Sequence, residues 1–184
     1  YFQQWVDERI VQNYAMLDQY QEEKPQLQLD RVIKKFLYLP QAINISYSRR
    51  FTTSLDEANL IGNIYYSYYY QWMAKTFDLW AYNFFQDIYN SSSPLEHRFV
   101  CSYAQLDHLR EAMPFDKIVV DLSIQAIYNN GLELSYTFYR LENSNKIKLA
   151  IGKRTMIYVA INNNTSQTAC FTDDIISKLM NHEK

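Results

Sequence analysis

The residues best suited to chemistry lie in one short stretch, EANLIGNIYYSYYYQW, at positions 57–72. It places Asn59, Gly62 and Asn63 in a loop, followed by an aromatic run that begins at Ile64. A helix that starts near Ile64 would direct its free backbone N–H groups at whatever lies beyond its N-terminus. Such groups stabilise an oxygen atom that gains negative charge. The alternative is that Gly62 only serves a tight turn and that the amides are solvated.

Few other side chains offer acid–base or nucleophilic chemistry. Glu57 and Asp56 are the nearest carboxylates, and either would act as a general base if partly buried, whereas exposed loop acids would not. Asn59 cannot be a nucleophile or base at neutral pH; it would orient a water molecule or a carbonyl group, or brace the loop. Cys101 and Cys170 have no neighbouring histidine, and no GxSxG, GxGxxG or P-loop motif is present.

The composition is that of an ordinary globular chain. Its 184 residues are 48% hydrophobic and 21% charged, with a formal net charge of -2, which argues against a nucleic-acid-binding surface. No apolar run approaches the length of a membrane span. Two cysteines without metal-ligand spacing predict a reducing, cytoplasmic setting and no disulfide framework. No metal or redox cofactor is expected. The aromatic share of 16% predicts a large core or an aromatic-lined pocket.

The N-terminal part of the chain has a helical pattern. Apolar residues of 2–38 recur near a period of 3.6, with a break at Pro25 and an end at Pro40. The pattern predicts a helical extension or linker over 1–40, followed by a single domain over 41–184.

The domain itself alternates strand and helix signals. AINISYSRRFTTS predicts a strand with one buried face, and an aromatic run then predicts one long helix from about Ile64 to about Asp87, apolar nearly all round. Four strand segments follow in a predicted meander: RFVCSYAQL, KIVVDLSIQAIYN, LELSYTFYRLE and IKLAIGKRTMIYVAI. NNG at 129–131 predicts a hairpin turn with positive φ, and Thr172 is predicted to cap a short helix. The expected fold is α+β, with one antiparallel sheet of about five strands around the helix.

The stretch DEANLIGNIYYSYYYQW resembles the signature acid-x-[DN]-x-x-G-x-x-[FY]-Y-x-x-[HY]-x-x-W of acyl thioesterases of the 4-hydroxybenzoyl-CoA thioesterase type. The branch that works with enediyne polyketide synthases is the most similar. FVCSYAQLDHLREAMPFDKIVVDLSI also resembles the family, with Phe115-Asp116 in place of its GD turn, as do LELSYTFYRL and LAIGKRTMIYV. The resemblance extends from Leu55 to about Ile161 and implies the hotdog fold.

The resemblance implies hydrolysis of an acyl or polyketide chain from the phosphopantetheine thioester of a carrier protein or CoA. It implies that the Tyr66 amide, after the Gly62 loop, is the oxyanion donor, and that water is the nucleophile. Asn59 stands where the benzoyl-type enzymes have an aspartate that drives hydrolysis. A direct carboxylate mechanism at this position is therefore not available, and Glu57 is the nearest candidate base.

Substrate contacts and partners are also implied. Asn63, Tyr65 and Tyr69 would line the acyl site, and Lys75 would meet a phosphopantetheine phosphate or polarise the carbonyl. The alternatives are ordinary packing of the tyrosines and an exposed surface lysine. The implied partners are an acyl carrier protein or CoA, a polyketide or fatty-acid synthase, and further copies of the chain in a homodimer or tetramer.

Two other functions stay open at this point. A non-catalytic domain that binds acyl chains or joins synthase modules is compatible with Asn59 in place of the aspartate. A 3-hydroxyacyl dehydratase of the same fold typically needs a histidine paired with a carboxylate, and no histidine lies in or near residues 55–75.

Overall fold

The computed structural model describes residues 36–38, 46–86, 97–143, 145–162 and 165–180. These residues form one seven-stranded antiparallel sheet and two α-helices, with a 3₁₀ turn at Leu55–Glu57. In chain order the elements are β1 (Phe36–Tyr38), β2 (Ser46–Thr52), α1 (Tyr66–Phe84), β3 (His97–His108), β4 (Lys117–Tyr128), β5 (Gly131–Glu142), β6 (Asn145–Asn162), β7 (Thr165–Thr168) and α2 (Asp173–Met180). A strand is present in each of the five segments where one is predicted.

The centre of the sheet consists of β4, β5 and β6, joined as two hairpins. The last strand of the path is β3, which pairs with β6 and not with β4, so the path runs β1-β4-β5-β6-β3. β2 also pairs with β4, and β7 with β6. The predicted four-strand meander is therefore wrong for β3, because alternation of side chains specifies the buried face of a strand and not its neighbour.

Helix α1 packs on the inner face of the sheet through one stripe of side chains. The buried residues follow the 3.6-residue period: Tyr69, Trp72, Met73, Thr76, Phe77, Trp80 and Ala81. Opposite them, alternate residues of β5 are buried: Leu132, Leu134, Tyr136 and Phe138. Each fully buried apolar side chain of this kind contributes about 1.5–3 kcal/mol of transfer free energy.

The outer face of α1 is open in this chain, so the expectation of a helix enclosed on most sides is wrong. Tyr66, Tyr70 and Tyr82 are 63%, 37% and 45% exposed. Tyrosine counts as apolar in a sequence pattern, but its hydroxyl is compatible with a position facing water. The helix also ends at Phe84, before the predicted end near Asp87, because Phe85 leaves the helical conformation, with a φ of -112° and a ψ of 43°.

Residues 36–38 form β1, in which Phe36 lies opposite Tyr128 of β4. The predicted helix over 2–38 is wrong for these three residues. A short apolar run fits either period, and the open edge of β4 offers backbone partners. The rest of the predicted extension lies outside the described residues.

The turn between β4 and β5 contains Asn129 and Asn130, as predicted, but neither residue has a positive φ. The glycine that follows is needed for a different reason. A Cβ atom on Gly131 would lie 2.5 Å from the backbone oxygen of Met156, so the backbones of β5 and β6 approach too closely for a side chain.

The predicted cap of the C-terminal helix is confirmed. The Ile175 N–H donates to Thr172 Oγ1 at 3.4 Å at the start of α2. Neither helix in the described part of the chain is long and apolar enough to cross a membrane.

Candidate active site

The loop before α1 is closed on itself by backbone hydrogen bonds. Ala58 and Ile64 form an isolated antiparallel bridge. Within it, the Asn59 N–H donates to Asn63 O at 2.8 Å, and the Gly62 N–H donates to Asn59 O at 3.0 Å. Gly62 has a φ of 98°, which an L-residue adopts only with strain, although a Cβ there would meet open space. This conformation explains why one of the chain's 3 glycines lies here.

The side chain of Asn59 braces this loop. Its Oδ1 accepts hydrogen bonds from the N–H groups of Ile61 (2.9 Å) and Gly62 (3.1 Å), and its Nδ2 donates to Asn63 Oδ1. Of the roles that the sequence leaves open for Asn59, the structure shows loop bracing. Its carbonyl oxygen is engaged, and the second hydrogen of its amide nitrogen is the group that could reach a ligand.

Helix α1 begins at Tyr66 with a free first turn. Tyr65 is the N-cap residue, and no side chain forms a cap hydrogen bond. The first N–H groups of a helix have no acceptor within the helix, so the amides of Tyr66 and Ser67 point out of its end. The predicted start at Ile64 is two residues early, because Ile64 pairs with Ala58 in the bridge and Tyr65 is extended with a ψ of 134°. The Ile64 N–H donates to Ala112 O at 2.9 Å.

A second loop, residues 109–116, forms the opposite wall. The N–H groups of Leu109 and Arg110 both donate to Leu149 O, at 2.8 and 3.0 Å, which fixes the start of this loop to the sheet. The buried hydroxyl of Thr53 donates to Met113 O at 2.7 Å and fixes its far end.

Phe115 lies in the left-handed region with a φ of 71° and is 67% exposed. This is the position where the resemblance places the glycine of a GD turn. An L-residue in this conformation costs about 1–2 kcal/mol. The turn is held by Asp116, whose Oδ2 accepts the Met113 N–H at 2.8 Å and an Arg140 N–H at 3.5 Å.

The two loops and the first turn of α1 surround a cavity of about 660 Å³. Its volume lies within the range of small-molecule sites. The structure brings five predicted site residues into its lining: Asn59, Asn63, Tyr65, Tyr66 and Tyr69. The free end of α1 therefore opens on a space large enough for a substrate.

Three predicted residues are not part of this lining. Gly62 shapes the loop through its positive φ. The carboxylate of Glu57 accepts the Ser54 N–H at 3.0 Å in a capping box, so it stays on the 3₁₀ turn and does not reach the cavity as a base. Lys75 is exposed on α1, and nine residues at 1.5 Å each place it about 13 Å along the helix from Tyr66, too far for a direct contact.

The cavity also contains residues that the sequence does not identify. His108, Leu109, Arg110 and Glu111 line it from the end of β3 and the loop that follows. The rings of His108 and Tyr69 meet edge to face with centroids 4.7 Å apart. In the sequence, the position of His108 is marked only by the end of a strand, seven residues before the turn at Phe115. The strand pairing that brings His108 next to α1 cannot be read from the neighbouring residues.

Burial sets the protonation states of this pair. Tyr69 is 1% exposed, and burial raises its pKa to about 12, so its hydroxyl stays protonated. His108 is exposed, but partial shielding by its neighbours lowers its pKa, opposed by the nearby Asp107 carboxylate, so the imidazole is largely neutral at pH 7. No cluster of metal-ligating side chains is found among the described residues.

Several solved thioesterases have the same arrangement of sheet and helix. Dynemicin thioesterase matches over 73% of this chain and 95% of its own, with a TM-score of 0.66 and 18% identity. The 1,4-dihydroxy-2-naphthoyl-CoA thioesterase from Synechocystis matches over 76% and 98%, with a TM-score of 0.63 and 14% identity. The fold is the hotdog fold.

A third neighbour is an aspartate-to-asparagine variant of 4-hydroxybenzoyl-CoA thioesterase in complex with 4-hydroxybenzoyl-CoA. It matches over 73% of this chain and 98% of its own, with a TM-score of 0.64 and 9% identity. No protein-family model and no curated protein sequence matches the chain. The likeness to these thioesterases therefore lies in the fold, and the hotdog fold implied by the sequence is confirmed.

Proposed function

We propose that this protein is a thioester hydrolase that releases an acyl or polyketide chain from the phosphopantetheine of a carrier protein or from CoA. The observation that carries the proposal is the uncapped start of α1, where the Tyr66 amide opens on the 660 Å³ cavity. The hotdog fold shared with solved thioesterases supports the same reaction.

The chemistry follows from the position of that amide. Water attacks the thioester carbonyl carbon, a C–O bond forms, and the carbonyl oxygen gains the negative charge that the Tyr66 N–H stabilises. The tetrahedral intermediate then expels the thiolate, which takes up a proton to give a free thiol and a carboxylic acid. Asn59 contributes by holding the loop in front of the helix and by offering its remaining amide hydrogen.

The walls of the cavity fit a chain of mixed character carried on a phosphorylated arm. Leu60, Ile61 and Leu109 present apolar surface, and the charge of Arg110 suits a phosphate group. Among the neighbours, the dynemicin thioesterase binds a polyene, and the 4-hydroxybenzoyl-CoA thioesterase variant binds its CoA ester. We extend both classes, polyketide chain and CoA ester, to this chain as candidate substrates.

A second copy of the chain is the proposed partner at the free edge of β3. Among the described strands, β3 pairs with β6 alone, and residues 101–105 are exposed. An unpaired edge of this length without proline favours pairing with another strand. Because β3 ends at His108, such a dimer would form beside the cavity. Light scattering of the purified protein tests it, with a monomer at micromolar concentration as the contrary result.

The sharpest test of the oxyanion donor is Tyr66→Pro. Proline is favoured at the first position of a helix and lacks the N–H, and the extended conformation of Tyr65 (ψ 134°) suits a residue before proline. We expect kcat for a panel of acyl-CoA and acyl-carrier-protein thioesters to fall by about 100-fold or more, as for loss of one oxyanion donor. Free thiol release measures the rate.

Tyr66→Ala is the matched control, since it removes the ring and keeps the amide. It should retain activity within about tenfold, while circular dichroism shows both variants folded. Equal activity in Tyr66→Pro and the wild type would place the oxyanion elsewhere. If the wild type releases no thiol but binds an acyl-CoA, the protein is an acyl-binding domain and not a hydrolase.

One observation favours dehydration of a 3-hydroxyacyl thioester as a second candidate. The sequence places no histidine near 55–75, but the structure brings His108 into the cavity with Glu111 on the same wall. A histidine and a carboxylate are the acid–base pair that this reaction needs. Loss of the mass of water from a 3-hydroxyacyl thioester, with the thioester intact, would establish this activity in place of hydrolysis.

A further inference from the structure

His108 occupies a distinct position in the cavity. It is the last residue of β3, where its backbone pairs with Ala150 of β6, so its place is fixed by the sheet. Its ring contacts the ring of Tyr69, which lies three residues beyond Tyr66 and faces the sheet from the first turn of α1. The imidazole is thereby held against the first turn of α1, in the cavity that Tyr66 also lines.

The other lining residues do not offer an equivalent group. The amides of Asn59 and Asn63 are not basic, and Tyr69 holds its proton because burial raises its pKa to about 12. Arg110 is a cation at neutral pH. Glu111 is the remaining candidate, but it lies in the loop after β3, whereas His108 is paired within the sheet and its ring contacts Tyr69. Both side chains are exposed, so both can reach water in the cavity.

We propose that His108 is the general base that activates the attacking water in the cavity at the start of α1. This inference rests on the proposed hydrolase function. It also supplies the basic group that Asn59 cannot provide and that Glu57, whose carboxylate is held in the capping box outside the cavity lining, does not provide.

The step balances without any further reactant. An imidazole nitrogen of His108 takes one proton from water as the oxygen bonds to the thioester carbon, and the carbonyl electron pair moves to the oxygen held by the Tyr66 amide. When the C–S bond breaks, its electron pair leaves with sulfur, and the imidazolium returns the proton to the thiolate. The products are an acid and a thiol, and His108 is again neutral.

The charges around His108 make this role compatible with neutral pH. Partial shielding by its neighbours lowers its pKa, and the carboxylate of Asp107 opposes that change. Arg110 and Glu111 share its wall, the uncharged Tyr69 packs on it from α1, and Ala150 is its partner on β6. The neutral base therefore predominates above its pKa, so kcat/KM should rise with pH through a midpoint below 6.5 and then level off.

The experiment compares the pH profiles of kcat/KM for the wild type and His108→Gln on one acyl-CoA that the wild type cleaves. The loss of a general base predicts a fall of about 100-fold or more at pH 7.5 and loss of the acidic limb. His108→Ala should recover activity when imidazole is added, because the cavity has room for it. The matched control is His97→Gln, because the His97 ring stacks on Tyr158 at the opposite end of β3 from His108. This variant should keep the kcat/KM and pH profile of the wild type.

Each other outcome overturns the inference in a distinguishable way. A His108→Gln enzyme within threefold of the wild type, with the same acidic limb, leaves hydrolysis standing and removes His108 as the base. If Glu111→Gln removes the limb and His108→Gln does not, the base is Glu111. If the wild type cleaves no thioester, the hydrolase function fails, and this inference fails with it. Binding of a non-cleavable thioether analogue, unchanged in His108→Gln, shows that the variant is intact.

Discussion

At its N-terminal end α1 meets backbone loops, and at its C-terminal end it meets packed aromatic rings. The first end contains two residues with positive φ, Gly62 and Phe115, and a helix start without a cap. Around the second end, Phe77, Trp80 and Phe85 contact one another or Phe99 with ring centroids 5.5–5.7 Å apart. The two ends belong to one helix but are stabilised differently.

The difference separates stability from chemistry. The aromatic end buries large apolar surfaces, which dominate the free energy of folding. The loop end uses its hydrogen bonds to shape a cavity and leaves the first turn of α1 without a side-chain cap, which costs stability. We therefore expect substitutions at the aromatic end to change unfolding and substitutions at the loop end to change activity.

The largest effect on stability is expected for Phe77→Ala. Phe77 is 1% exposed, and removing a buried ring from a packed core costs about 3–5 kcal/mol of unfolding free energy. Urea denaturation measures the loss, and Phe77→Leu provides a milder variant if the alanine variant does not fold. The matched substitution at the loop end, Tyr66→Ala, should change the same quantity by about 0.5 kcal/mol or less. Similar losses for both would break the comparison.

A smaller change in the free energy of unfolding is expected at alkaline pH. The pKa of Tyr69 is about 12 in the folded state, above the ordinary tyrosine value of about 10 that applies to the unfolded chain, so between these values the unfolded state releases the proton first. The unfolding free energy should therefore fall as pH rises above 10, with Tyr69 contributing about 1.4 kcal/mol per pH unit. Tyr69→Phe should make the slope shallower by about that amount.

The control for this titration lies at the aromatic end. Burial also raises the pKa of Tyr158, but less strongly than that of Tyr69, so Tyr158→Phe should change the alkaline slope less. Denaturant titrations at several pH values from 9 to 11 measure both slopes. An unchanged slope in Tyr69→Phe would show that its hydroxyl is not protected from ionisation.

The smallest effect is expected for Phe115→Gly. Glycine removes about 1–2 kcal/mol of left-handed strain and costs about 0.5–1 kcal/mol in chain entropy, for a net gain between about 0 and 1.5 kcal/mol. Phe115→Ala keeps the strain and should leave the unfolding free energy unchanged. A loss of stability in the glycine variant would mean that the exposed ring of Phe115 makes a stabilising contact.

The sequence predicts those parts of the molecule whose determinants are local. Alternation identified the strands, and the Asn59–Asn63 loop before an aromatic run identified the end of α1 that opens on the cavity. The position of Glu57 was also readable, because Ser54-x-x-Glu57 has the spacing of a capping box that engages the carboxylate. The turn at Asn129 and Asn130 was found, although its backbone conformation was not.

The remainder depends on contacts between distant segments. His108 reaches the cavity because β3 pairs with β6, and no feature of residues 97–108 specifies that neighbour. The close approach that requires Gly131 likewise depends on Met156 across the hairpin. The prediction that the outer face of α1 is buried was wrong, because it counted tyrosines as apolar and tyrosine is compatible with both core and surface.

The uncapped start of α1 also bears on how such a site can change over generations. The proposed oxyanion donor is a main-chain group, so nineteen of the twenty amino acids at position 66 would supply it, and only proline would remove it. Selection on this donor would act on the path of the backbone and would leave the identity of the side chain free to drift. A site built this way can persist while the surrounding amino acids are replaced, which fits a fold shared with thioesterases at 9–18% identity.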